Sequence, residues 1–248
     1  MNMEELKMVE WNSQTYKTFI DLLKSQSDEE YAKFNQKVIP NLGFSYYVRM
    51  PILRKMAKHL EKNKHLEDFY NYVSSGQSYE EKLLQSILFS KIEFKSPSDM
   101  FNSIDYYMLK INNWALCDSF ATNIKTLVEK NKEIFFQMLP RYLETENPWA
   151  VRFALVVLNN YFTEEQYLES IFENIKSINN CQDYYVNMAV AWLVSSCYLV
   201  DKNKTKDFIS KGYLNDWCIN KSIQKIVESL RVTAVEKEEI KKLRRKKN

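Results

Sequence analysis

The sequence predicts an all-α protein built as a helical repeat, and three observations predict it. Glycine and proline are scarce, at three and five residues in 248; at the usual glycine share of about 7% such a chain would hold roughly 17. Apolar residues recur at helical spacing in segment after segment, and the breaks fall on Asn, Asp, Ser, Gly and Pro. From residue 112 onward, an aromatic side chain two positions after Asn or Asp marks four segment starts at near-regular spacing. The glycine shortage also argues against positive-φ hairpins and Gly-rich phosphate loops, and so against Rossmann, P-loop and most all-β architectures.

The expected helices run over 14–24, 28–38, 51–62, 66–73, 79–92, 97–111, 114–130 and 132–143, then 149–161, 164–178, 184–199, 204–211, 216–230 and 235–246. Punctuation sets their limits: NLGFSYY precedes Pro51, SSGQS precedes Tyr79, KSPSD surrounds Pro97 and ENP precedes Trp149. The recurring starts are Asn112 with Trp114, Asn147 with Trp149, Asp183 with Tyr185 and Asn215 with Trp217, at separations of 35, 36 and 32 residues. Asn and Asp are good N-caps, and Pro148 suits a first helical position. Each unit is then a helix opening at the aromatic, a turn and a return helix. Such pairs stack into a curved solenoid, because one pair alone cannot bury its apolar face. The period lies between the roughly 34 residues of tetratricopeptide repeats and the roughly 40 to 47 of HEAT repeats. With no Trp-Leu-Gly-Tyr pattern, a HEAT-like α-α superhelix is expected, one domain over 1–248 with a basic C-terminal helix or tail over 235–248.

The formal charge is +3, but seven of the 35 basic residues and two of the 32 acidic ones lie in 237–248, so the body carries −2. A basic surface on the body must therefore come from sorting charges onto one face. Cys117, Cys181, Cys197 and Cys218 form no metal-binding spacing with each other or with His59 and His65, and read as reduced core thiols. No window approaches about 20 uncharged apolar residues, so a soluble cytoplasmic protein without membrane contact is expected.

In a solenoid the inner helices line a concave surface, where binding usually sits. Counting from each marker aromatic, Asp118 lies at +4, Arg152 at +3, Trp192 at +7 and Lys221 at +4. Offsets of 3, 4 and 7 share one helical face. The repeats thus project a carboxylate, a guanidinium, an indole and an ammonium onto one strip, with Trp114, Trp149 and Tyr185 at its edge. Each residue also has a plainer reading. Trp149, Trp192 and Trp217 could fill the core between repeats, Asp118 could cap a loop, and Arg152 could hold a neighbouring repeat with its long stem.

Four motifs in order carry a family resemblance: VRMPILR from Val48 to Arg54, WALCD from Trp114 to Asp118, PWAVR from Pro148 to Arg152, and AVAW from Ala189 to Trp192. Over roughly Phe34 to Val232 the chain resembles the AlkD-like DNA alkylation repair proteins, HEAT-like repeat DNA glycosylases. The resemblance implies a concave face that grips duplex DNA, and a monofunctional glycosylase that excises cationic N3- and N7-alkylated purines without drawing the base into a protein pocket. It further implies Trp114 and Trp192 as aromatic walls beside the lesion, Asp118 as the catalytic carboxylate and Arg152 as a phosphate holder. Trp149, Lys221 and Arg54 are the further DNA-binding candidates. No metal and no organic cofactor is expected, the partner is double-stranded DNA containing alkylated purines, and a monomer suffices. Between Glu29 and Pro51 the chain offers one short helix stopped at Ile39-Pro40, which is similar to the family branch with a reduced N-terminal recognition element. Two other readings stay open at this point: a noncatalytic DNA-structure binder using the same groove, and a HEAT-like protein-interaction scaffold.

Overall fold

The computed structural model describes residues 1–178 and 182–246, so Cys181 and the last two residues of the basic tail lie outside the described residues. The chain is an all-α helical repeat protein. Among the described residues there is no β-strand, only an isolated bridge between Ser27 and Val48. The chain packs as two compact units, Met1–Leu127 and Val128–Asn248.

Unit 1 holds α1 (Ser13–Ser25), α2 (Glu29–Val38), α3 (Met50–Leu60), α4 (Leu66–Ser74), α5 (Tyr79–Leu88), α6 (Pro97–Met108) and α7 (Trp114–Asn123), and the unit boundary falls within α8 (Lys125–Lys130). The helix starts are chemically explicit. Asn12 and Thr15 form a capping box on α1, Asp28 caps α2, Ser78 and Glu81 form a second box on α5, and Ser96 caps α6. Helix α5 packs against α3, α4 and α7. Leu53, Met56, Leu84, Leu88 and Phe120 are buried between these helices, and each such side chain removed from water contributes about 1.5–3 kcal/mol. At the start of the unit the Phe69 ring meets Trp11 and Phe19 at 4.7 and 4.9 Å.

The connection from α2 to α3 is held by a buried carboxylate. Glu80, fully buried on α5, accepts hydrogen bonds from Ser45 Oγ at 2.8 Å, Tyr46 N at 2.8 Å and Val48 N at 3.1 Å. Three positive-φ residues shape this segment: Asn41 at 53°, Gly43 at 71° and Tyr47 at 59°. A tyrosine in the left-handed region is strained. Tyr47 is kept there by its N–H donating to Ser45 Oγ at 3.0 Å and by its carbonyl accepting from Asp28 N at 3.1 Å. Glu81 anchors the same corner, accepting from the Ser78 hydroxyl and from the Tyr16 hydroxyl, each at 2.6 Å. Burial and the Glu81 carboxylate push the Tyr16 phenol far above its ordinary value.

Unit 2 continues with α9 (Lys132–Met138), α10 (Pro140–Leu143), α11 (Pro148–Tyr161), α12 (Leu168–Ser177), α13 (Tyr184–Val200), α14 (Lys202–Ser210), α15 (Asp216–Glu228) and α16 (Ala234–Lys241). Helix α13 packs against α11 on one side and α15 on the other, α14 returns against α13, and α16 returns against α15. This is the helix–turn–helix unit that the marker spacing predicts. Every residue of α11 from Ala150 to Leu158 is buried, a pattern that amphipathic periodicity does not describe.

Four expectations are corrected. The first marker is shifted by one residue: Asn113, not Asn112, caps α7 by accepting from Leu116 N at 3.0 Å, while Asn112 donates its amide to the Asn41 carbonyl at 2.8 Å. The expected helix over 114–130 breaks after Asn123, because the carbonyl of Asn123 accepts from Ser90 Oγ at 2.6 Å and the Leu127 N–H turns to Ile124 instead. The segment over 132–143 divides before Pro140, whose nitrogen has no proton to donate. The last helix stops at Lys241 rather than Lys246, since the backbone of Arg245 is drawn onto α15. Cys117, Cys197 and Cys218 are buried free thiols, and burial pushes the Cys197 thiol up to about 12. No helix among the described residues is long and apolar enough to cross a membrane.

Candidate nucleic-acid interface

Unit 1 contributes Trp114, Asp118 and Arg54. Trp114 is the first residue of α7, half-buried, and its indole N–H donates to the Val38 carbonyl at 3.1 Å. That carbonyl belongs to the open C-terminal end of α2, where the last helical carbonyls lack ladder partners. The ring is thereby fixed in rotation, and one turn further along α7 the half-buried Asp118 lies on the same face. The backbone carbonyl of Asp118 accepts from Thr122 Oγ1 at 2.8 Å. Arg54 stands exposed on α3.

Unit 2 contributes Trp149, Arg152, Trp192 and Lys221. Asn147 caps α11 by accepting from Trp149 N at 3.0 Å, and the half-buried Trp149 ring lies 5.2 Å from the Tyr185 ring at 37°. Arg152 is only 7% exposed, and its Nη1 donates to the Tyr185 carbonyl at 2.7 Å. The guanidinium therefore ties α11 to the first turn of α13, which accords with the plainer reading of this residue. Trp192 shows the opposite outcome. Its neighbours Ala191 and Leu193 are fully buried, yet the indole is 40% exposed, so the apolar run around it does not place it in the core. On α13, Tyr185, Met188 and Trp192 share one face and leave it open, at helical offsets of 3 and 7. Lys221 on α15 is half-buried, its Nζ donates to Gln224 Oε1 at 3.0 Å and lies 5.9 Å from the centre of the Trp217 ring.

Two features of unit 2 escape the sequence reading. Tyr184 bridges a row of rings: it meets Tyr185 at 5.2 Å and Trp217 at 5.7 Å, both near edge-to-face. The basic segment after α16 is clamped rather than loose. Asn220 donates to the Arg245 carbonyl and accepts from the Arg245 N–H, each at 3.0 Å, and Arg245 Nη2 reaches the Ser210 carbonyl at 3.3 Å. The signal that could have revealed the row was the adjacent Tyr184 and Tyr185; the clamp, formed across 25 residues, had none. Among the described residues, no group of three or more His, Cys, Asp or Glu is placed to hold a metal ion.

The chain is an all-helical repeat protein whose helix faces leave Trp192 and Arg54 exposed and Trp114, Trp149, Asp118 and Lys221 half-buried. A protein-family model described as DNA alkylation repair enzyme matches residues 19–226, and the chain belongs to that family. Its process is DNA alkylation repair, which points to DNA as its partner. The search of curated proteins finds no match.

Proposed function

We propose that the protein is a monofunctional DNA glycosylase that hydrolyses the N-glycosidic bond of cationic N3- and N7-alkylated purines in duplex DNA. The observation that carries this reading is the pairing on α7 of a half-buried Asp118 with an indole, Trp114, locked by the Val38 carbonyl, inside the span matched by the repair family. An alkylated purine already bears positive charge, so it can leave without prior protonation. The bond from C1′ to the purine nitrogen breaks, both electrons go to the purine, and its ring charge is neutralised. Positive charge then builds on the deoxyribose, where the Asp118 carboxylate stabilises it. Water adds to C1′ and gives up its proton to Asp118 and then to solvent. The products are a neutral alkylated purine and an abasic sugar.

Trp114 and Trp192 are assigned as walls that contact the cationic nucleotide through their π faces. Trp149, Lys221, Arg54 and Arg152 are assigned to the phosphate backbone. A HEAT-like groove around the duplex and action as a monomer complete the proposal. The second reading is a protein that binds DNA structure through the same residues without excising bases.

Release of N7-methylguanine or N3-methyladenine from alkylated duplex DNA decides between them. Wild type is expected to release base and Asp118→Asn to be slower by about 100-fold, the usual cost of removing one charge-stabilising group. Equal release by the two proteins overturns the assignment of Asp118. Duplex binding with no release by wild type establishes the second reading.

A further inference from the structure

In unit 2 the clamped segment after α16 and one face of α15 enclose a groove of about 800 Å³. Its charged lining is Lys221, Arg244, Arg245 and Lys246 against a single carboxylate, Asp216. Arg244 and Lys246 are exposed. Trp217 forms part of the wall and is 41% exposed, although its large apolar ring would gain by burial. The same indole also lines a second cleft of about 390 Å³ together with Tyr184, Gln182, Asn187 and Asn215.

These parts differ in chemistry and are arranged in sequence. Cations dominate the first cleft and amide side chains the second, where Asn187 Oδ1 and Asn215 Oδ1 already accept from Cys218 Sγ and Cys218 N. A membrane surface or an acidic peptide would use the cations and leave the amide-lined cleft without work. A nucleotide uses both, with phosphate on the cations, the base against the aromatic face and its edge toward amides. The body of the protein carries net negative charge, so this local excess is a product of placement: Asn220 holds the Arg245 backbone by a reciprocal pair of hydrogen bonds, and a tail that would otherwise sample solvent is presented in one conformation.

We infer that this groove is a second DNA-contacting site, which takes a single-stranded segment with its phosphates on Arg244 and Lys246 and an unpaired base on Trp217. The inference rests on the reading of the chain as one that acts on DNA, and extends it to a site remote in sequence from Asp118.

The test is fluorescence anisotropy of a labelled 12-nucleotide single strand and of the matching duplex, across a salt series, with full-length protein. Wild type is expected to bind the single strand with a salt slope that falls by about 1.4 in Arg244→Ala/Lys246→Ala, as two lost phosphate contacts require. Asn220→Ala retains every charge and is expected to weaken binding several-fold, because the clamp is lost. Trp217→Leu is expected to cost the single strand about tenfold and the duplex under twofold. Circular dichroism melts identify any variant that fails to fold, and Arg244→Gln/Lys246→Gln, in the exposed tail, supplies a replacement. If Asn220→Ala and Trp217→Leu both bind like wild type, the tail acts as diffuse charge and the site is refuted. Tighter binding to anionic lipid vesicles than to the single strand refutes it as well. Unchanged strand affinity in the groove variants sinks this inference whatever Asp118→Asn does to base release, and equal release by wild type and Asp118→Asn sinks the excision reading whatever the groove binds.

Discussion

The two units position comparable helices by different physical means. In unit 2, α11 is buried from Ala150 to Leu158 and α13 is buried around all but one stripe, so Trp149 and Trp192 are placed by apolar packing on several sides, with one hydrogen bond from Arg152 to the Tyr185 carbonyl between the helices. In unit 1, α7 begins at Trp114 because of Asn113. Its face is registered by point contacts: Trp114 to the Val38 carbonyl, Asn112 to the Asn41 carbonyl, and behind them Glu80 holding the strained segment between α2 and α3. Packing spreads its energy over many contacts and tolerates the loss of one, whereas a polar strut concentrates it. The candidate carboxylate therefore sits in the unit that depends more on a few hydrogen bonds.

The largest effect that can break this comparison comes from the strut. Glu80→Ala leaves three buried or half-buried donors without an acceptor, and a destabilisation of about 5 kcal/mol is expected from roughly 1–3 kcal/mol for each. Urea unfolding followed by Trp114 emission in a variant with the other tryptophans replaced by phenylalanine reads it. The counterpart in unit 2, Phe153→Ala, removes a fully buried ring for about 4 kcal/mol. The comparison predicts that Glu80→Ala exposes the 40–49 segment to protease, whereas Phe153→Ala leaves that segment protected. Equal protection in both variants would show that the strut is dispensable.

A smaller effect concerns the caps. Asn113→Ala and Asn215→Ala each remove one side-chain acceptor at a helix start, worth about 1 kcal/mol. In unit 1 the change should also shift Trp114 emission, because the same turn orients that ring. In unit 2 the Trp217 spectrum should hardly move, since apolar neighbours such as Cys218 and Ile219 fix the first turn of α15. Like shifts in the two units would erase the distinction.

The smallest effect is a divergence in pH dependence. Burial, with Lys82 nearby, pulls the Lys110 amine in unit 1 down to about 8, so between pH 8 and 10 the folded unit has released a proton that the unfolded chain still holds. Stability of unit 1 should rise through that window. Above pH 10 the buried phenols of Tyr70 and Tyr79, pushed upward by burial, reverse the trend, because only the unfolded chain ionises there. In unit 2 the Cys197 thiol, held near 12, resists ionising while the unfolded thiol ionises above 9, so stability should fall from pH 9 upward. Separate urea midpoints at pH 8, 9 and 10 check the signs, and parallel trends in the two units would contradict them.

Helical content, the repeat from Asn147 onward and most helix limits were legible because they depend on local chemistry: caps within three residues, prolines, and apolar spacing within one helix. Three of the four errors came where a distant partner outbid a local one, and the fourth, the division before Pro140, was local. Asn112 looked like the cap, yet Asn41 claims its amide from 71 residues away, and Asn113 takes its place. The tail looked helical to Lys246, yet Asn220 captures Arg245. The candidate site was legible as a set of offsets but not as environments. The same periodic pattern that listed Arg152 and Trp192 together could not reveal that one side chain is buried against a carbonyl and the other left open.

The bond from Trp114 to Val38 gives unit 1 an optical property. Indole emission responds to what its N–H touches, and here it touches the end of a helix whose outer residues Phe34 and Val38 are exposed. Any strand that presses on α2 would lengthen or bend that bond. Occupancy of one helix would then register as a change of colour on another, so the protein carries a built-in gauge of contact beside its candidate carboxylate.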